Sequence, residues 1–125
     1  MPSGSGAGDF SLKTKIYLTD ADGAQFMGIG VLWLMQHIDA CGSIRKAAAE
    51  MHLSYAKAHR MIRDVEGATG LQLVERRKGG TQREGTSLTP TGRKFIEIYQ
   101  RFQNEVKENA EDSFRWFRRE LGDLY

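Results

Sequence analysis

Hydrophobic residues recur along this 125-residue chain at two different periods, and the changes of period divide it into elements. In SLKTKIYLT (11–19) they alternate, with Thr14, Ile16 and Leu18 on one side and Lys13, Lys15 and Tyr17 on the other, which predicts a half-buried strand. DADG (20–23) carries the hairpin-turn signal Asp22-Gly23, and AQFM (24–27) supplies a short return strand. Gly28 and Gly30 then punctuate the chain, and the period lengthens. Val31, Leu34, Met35 and Ile38 fall at i, i+3, i+4 and i+7, so VLWLMQHIDA (31–40) predicts a helix with one apolar stripe, stopped by Gly42. Leu32 and Trp33 lie off that stripe and predict a second buried face.

The pattern restarts within GSIRKAAAEMHLSYAKAHRMI (42–62). Ser43 is suited to cap a helix, because its hydroxyl can accept an orphan backbone N–H. Ile44, Ala47, Ala48 and Met51 repeat the helical spacing over about two turns, too few for a helix to be stable alone. Its inward alanines let a neighbouring helix approach closely. His52 and Leu53 form a turn, Ser54 caps again, and a second helix follows from about Tyr55 to Thr69. At about 100° per residue, Ala58, Met61, Ile62, Val65 and Thr69 share one side. Ala56, Arg60, Arg63 and Gly67 fall opposite, with Lys57 and His59 at the flanks. Two helices, a tight turn and a cationic outer face on the second form a helix-turn-helix pattern.

After Gly70, LQLVERR (71–77) alternates as a strand, and Leu71, Leu73 or Val74 must reach the core. The glycine-rich, basic KGGTQREGT (78–86) forms the tip of a hairpin whose returning strand is SLT (87–89). A hairpin directly after a recognition helix is a wing, and Lys78 and Arg83 on its tip suit phosphates or the minor groove. Thr89 caps a last helix that begins at Pro90. Phe95, Ile98, Tyr99, Phe102 and Val106 give it an apolar stripe, which Ala110, Phe114, Phe117 and Leu121 extend. Two alternatives stand for its second half: an unbroken helix whose far end needs another chain, or a break in NAEDS (109–113). The expected fold is therefore mainly α with a small β component. It comprises a flexible tail (1–10), a winged helix-turn-helix with an N-terminal β-hairpin (11–89), and a long C-terminal helix (90–125).

Charge changes this picture where composition does not. Net charge is only +2, but residues 43–94 hold eleven Lys/Arg against five Asp/Glu, while the rest holds seven against eleven. A basic middle between acidic ends is a footprint for a polyanion. One cysteine, Cys41, excludes an intrachain disulfide. No run of about 18 apolar residues spans a membrane, and the first residues lack the build of a secretory signal. A reducing cytosol is the expected compartment. Enzyme chemistry is not expected either. His37, His52 and His59 do not pair with Cys41 at a metal-ligand spacing, and no GxSxG, HExxH or GK[ST] occurs. No cofactor is expected, and no small-molecule effector is specified.

GSIRKAAAEMHLSYAKAHRMI, then LVERRKGG, then LTPTGRKFIEIY resemble the winged helix-turn-helix DNA-binding domain of molybdate-responsive (ModE-type) transcription regulators. That domain is itself similar to the N-terminal domain of LysR-type regulators. The resemblance covers about residues 12 to 105 and includes GIG before the first helix. It implies a homodimer, joined by the helix after the wing with help from the first helix, with each recognition helix in a major groove. It places Ser54 and Tyr55 on the family's SY at the start of recognition, Lys57 and Arg60 on the outward face, Arg76 on the arginine closing the strand, and Gly79-Gly80 on the wing glycines. This chain departs from the family at His59, where a bulky aromatic is usual, and at Val31 and Trp33, which replace usually polar positions and suit a larger apolar contact. The oxyanion-binding domains of the full-length regulators are not within these 125 residues, so molybdate sensing is not expected of them.

The function expected is that of a sequence-specific transcription regulator bound to double-stranded DNA as a homodimer on a palindromic site. Arg45, Lys46, Arg77, Lys78 and Arg83, with Ser43, are the candidates for phosphate contact. Ser54, Tyr55, Ala56, Lys57, Arg60 and Arg63 are those for the reading face. Val31, Trp33, Phe95, Ile98, Tyr99, Phe102, Val106, Phe114 and Phe117 are those for the dimer contact. The alternative is a winged-helix module that binds another protein through its aromatic C-terminal helix.

Overall fold

The computed structural model describes residues 9–79 and 82–125, with the side chains of 77–79 and 82–84 left aside. The order is β1 (Tyr17–Thr19), β2 (Gln25–Gly28), α1 (Ile29–Cys41), α2 (Ile44–Glu50), α3 (Tyr55–Thr69), β3 (Val74–Gly79), β4 (Gln82–Leu88) and α4 (Pro90–Gly122). Two antiparallel hairpins, β1–β2 and β3–β4, bracket the three shorter helices. The chain divides into a unit of Ile16–Phe102 and a second unit that joins the preceding segment to Gln103–Tyr125.

The first hairpin is shorter than the alternation suggests. Sides do alternate in exposure from Ser11 to Leu18. Ladder pairing, however, is confined to Tyr17–Thr19, because the return strand holds four residues before α1 begins. The Asp20 carboxylate builds the turn by accepting the N–H of Asp22 at 2.8 Å and of Ala24 at 3.0 Å. Gly23 takes the left-handed φ of +86° that the turn requires. α1 starts two residues earlier than predicted, with Gly28 as its extended cap and Gly30 inside its first turn.

The core of the larger unit lies between α1, α2 and α3. Leu32, Leu34, Met35 and Ile38 from α1 meet Ile44, Ala47 and Ala48 from α2 and Ala58, Ile62 and Val65 from α3. Each large side chain buried here is worth about 1.5–3 kcal/mol, which is how a seven-residue helix such as α2 persists. The second buried face expected of α1 is half present. Leu32 is fully buried, whereas Trp33 is 50% exposed, on the side it shares with exposed Gln36. Gly42 closes α1 in the left-handed conformation, with its N–H on the Ile38 carbonyl.

β3 begins at Val74 rather than Leu71, and β4 at Gln82 rather than Ser87, so the wing ladder is longer and shifted outward. The pairs Val74–Leu88, Arg76–Thr86 and Gly79–Gln82 set its register, with an irregularity between Arg77 and Gly79. Lys78 and Arg83 therefore sit in the strands rather than in the turn. The N–H of Thr86 bonds to the carbonyl of Gly42, which ties the wing to the end of α1. Glu66 of α3 accepts the N–H groups of Leu73 and Val74, so the helix holds the root of the wing. Thr89 caps α4 by accepting the Gly92 N–H at 2.8 Å, and its own hydroxyl donates to the Gln72 carbonyl. α4 runs unbroken from Pro90 to Gly122, so NAEDS does not interrupt it.

In the second unit, Phe10 packs on Phe114 at 6.2 Å between ring centroids, and Phe114 on Phe117 at 6.4 Å. The Arg118 guanidinium lies over the Phe10 ring and donates to its carbonyl. The flexible tail expected over 1–10 falls largely outside the described residues, and Asp9 and Phe10 are the part within them.

Candidate nucleic-acid interface

Ser54 starts the candidate reading helix. Its hydroxyl accepts the Lys57 N–H at 3.0 Å and so satisfies one orphan donor of the first turn. The turn before it is tight: Leu53 N–H bonds to the Ala48 carbonyl, and His52 adopts a φ of +58°. Ala58, Ile62 and Val65 are buried, and Met61, Glu66 and Thr69 are half-buried beside them. Tyr55, Ala56, Lys57, Arg60 and Arg63 are all exposed, on the side opposite the core. His59 is half-buried at the flank, its ring 5.8 Å from that of Tyr55.

α2 is joined to this face through an aromatic ring. The Arg45 guanidinium sits 4.5 Å from the centre of the Tyr55 ring, a cation–π contact across the two helices. Ser43 accepts the Lys46 N–H at 3.0 Å, leaving Arg45 and Lys46 exposed on the first turn of α2. Ser43, Arg45, Tyr55, Arg76 and Thr86 together line a polar notch of about 130 Å³ where α2, α3 and the root of the wing meet. The structure thus gathers Ser43, Arg45 and Tyr55 at one junction, with Lys46 exposed next to Arg45 on α2 and Ala56, Lys57, Arg60 and Arg63 continuing along α3. The side chains of Arg77, Lys78 and Arg83 lie outside the described residues. Arg76 and Thr86 were not among the candidates for contact. Their signal was the alternation of the wing strand, which puts Arg76 in phase with half-buried Val74 and so on the face turned toward the helices.

The chain matches the model of the bacterial regulatory helix-turn-helix protein, lysR family, over residues 31–93, half its length. It is a member of the lysR family. Among relatives, the transcriptional regulator ModE of Haemophilus influenzae is 32% identical over 88 residues, which are 70% of this chain and 34% of that protein. The molybdenum transport protein ModE of Azotobacter vinelandii is 36% identical over 74 residues, 59% of this chain and 27% of that protein. The lysR-family chain thus spans about a third of the length of the curated relatives it matches. In fold it is similar to the CbnR_DBD–DNA complex, with a TM-score of 0.55 at 24% identity over 70% of this chain and 94% of that one. The family match begins after the β1–β2 hairpin and ends near the start of α4, so it takes in α2, α3 and the wing.

The residues expected at a dimer contact divide in two in this lysR-family chain. In the larger unit Ile98 is 53% and Phe102 40% exposed, Trp33 is exposed, and Phe95 is half-buried. Tyr99 differs from these. At 4% exposure it is a core residue, stacked on Phe95 at 6.4 Å and tilted against Phe102 at 5.8 Å, because it lies on the side of α4 that faces its own domain. Val31 is half-buried and lines a cleft against the first hairpin. In the second unit Val106 and Phe114 are half-buried and Phe117 is exposed. Among the described residues, no group of three or more His, Cys, Asp or Glu could hold a metal ion. No described helix is long and apolar enough to cross a membrane.

Proposed function

We propose that this chain is the DNA-binding part of a transcription regulator that acts as a homodimer on a palindromic site, with α3 in the major groove and the wing on the backbone or minor groove. The observation that carries this reading is the outer face of α3. It offers Tyr55, Ala56, Lys57, Arg60 and Arg63 to solvent from a helix whose opposite side, Ala58, Ile62 and Val65, is packed into the core. Lysine and arginine suit the O6 and N7 acceptors of guanine, and the Ala56 methyl suits thymine. Arg45, Lys46 and the notch at Arg76 flank that face and suit phosphates. The lysR-family membership and the DNA present in the CbnR complex support the same partner. Twofold assembly is supported by Ile98 and Phe102, large apolar side chains left open on α4. The C-terminal helix would then join the two copies.

Two measurements test this. The chain is expected to bind a random-sequence duplex at low salt, with affinity falling about 10³-fold or more as salt rises from about 50 to 200 mM if six or more phosphates are engaged. Phe102→Asp is expected to move the chain from dimer to monomer in sedimentation while leaving its helix content unchanged. Absence of duplex binding at low salt, with the dimer intact, would favour instead a protein-binding module that uses the aromatic helix.

A further inference from the structure

The β1–β2 hairpin lies before the residues shared with the lysR family, and neither the reading face nor the wing uses it. It nevertheless stands along one flank of α3. A cleft of about 350 Å³ separates the two, bordered by Tyr17 and Gln25 of the hairpin and by Lys57, Arg60 and Asp64 of the helix. Farther along α3, a second cleft of about 490 Å³ runs from Asp20 and Asp22 at the hairpin turn to Arg63, Asp64 and Gly67.

The surface they share changes sign along its length. At the N-terminal end of α3, Lys57 and Arg60 border the cleft together with Tyr17 and Gln25, and all four residues are exposed. At the other end Asp64, Asp20 and Asp22 outnumber Arg63. The turn that carries these acids is held in place by the two N–H bonds to Asp20, so its charge is delivered to a defined position.

We infer that the hairpin side of this cleft, beside the base-reading Lys57 and Arg60, borders one sugar-phosphate strand of bound DNA, with Tyr17 and Gln25 donating to its phosphates, and that the acidic turn marks where that strand's path along α3 ends. The inference rests on the DNA-binding reading and adds a third contact element to α3 and the wing. A helix laid in a major groove has a backbone strand on either side of it, and the hairpin occupies one of those sides. Neutral donors bond well to charged phosphate oxygens. Carboxylates within about 8 Å of a phosphate repel it before salt screens them. A repulsive border of this kind sharpens placement as much as an attractive contact does.

Fluorescence anisotropy with the full chain and a random-sequence duplex at about 50 mM salt tests this. Tyr17→Phe and Gln25→Ala are each expected to weaken binding about threefold, equally for all sequences, because phosphate contacts carry no sequence information. Asp22→Asn is expected to strengthen it about threefold, with the gain fading as salt rises. All three positions are exposed, and unchanged circular dichroism checks the fold. If the wild-type chain binds and both Tyr17→Phe and Gln25→Ala leave affinity unchanged, the seat is overturned. If Asp22→Asn leaves it unchanged, the border is overturned. A wild-type chain that binds no duplex overturns the DNA reading itself, which is a different result.

Discussion

Replacing Gly92 by alanine is expected to lower stability by about 3 kcal/mol and the Tm by more than about 10 °C. Gly92 lies buried in the first turn of α4. A Cβ built there would stand 2.1 Å from the Leu73 carbonyl oxygen, 3.0 Å from its carbon and 3.2 Å from its Cα. All three are backbone atoms, so no side chain can rotate out of the way. The backbone cannot retreat easily either. The Thr89 hydroxyl donates to the Gln72 carbonyl and its N–H to that of Leu73, while Glu66 holds the Leu73 N–H from α3. Relief would open the joint between α4, the wing root and the reading helix together. Gly67, on the exposed side of α3 with nothing within 4 Å of its Cβ, gives the contrast. Gly67→Ala is expected to stabilise by about 0.5–1 kcal/mol through helix propensity alone. Urea unfolding of both variants checks the pair, and equal effects would contradict the close approach at Gly92.

Arg60→Ala is expected to cost about 1–3 kcal/mol of binding to the preferred site and to relax the choice of base at one position in each half-site. Arg60 stands at the centre of the exposed face of α3, one turn beyond Ala56 and beside Lys57, where a major-groove helix brings side chains to base edges. Lys78→Ala serves as comparison. Its charge belongs to the wing, so its removal is expected to weaken all sequences alike and to lower the salt slope by about one. Titrating each variant against preferred and random duplexes separates the two outcomes. A uniform loss in Arg60→Ala would move that arginine from the reading face to the backbone.

How much of this was legible in the sequence follows from which physical signals were strong. The bounds of α3 were legible, because Ser54 caps it, Gly70 ends it, and Ala58, Ile62 and Val65 fall one or two turns apart. α2 was legible for the same reasons, short as it is. The turn at Asp20–Gly23 was legible from the Asp22-Gly23 pair, whereas the Asp20 carboxylate that holds it was not. Leu32 and Trp33 could not be told apart, because a helical wheel places both off the main stripe; within one chain Leu32 is covered and Trp33 stays exposed. The wing strands were placed too near the core. Their outer residues, Lys78, Gly79, Gln82 and Arg83, carry no apolar alternation, and the pairing of Gly79 with Gln82 extends the ladder past the apolar positions. Continuity of α4 was undecided, because NAEDS offers capping residues but neither glycine nor proline to enforce a stop. Within the candidate interface, the exposed cations of α3 were legible from periodicity, whereas the Arg45–Tyr55 stack and the share of Arg76 in the notch needed the three elements to be brought together.

The central claim is that the outer face of α3 reads DNA and that a second copy repeats it about a twofold axis. Selection of bound duplexes from a random pool by the full chain tests this most directly, since it reports binding, symmetry and spacing at once. The account predicts an inverted repeat whose half-sites lie about one helical turn, 10–10.5 bp, or a multiple of it apart. Recovery of no enriched sequence, or of a single unrepeated motif, would contradict it.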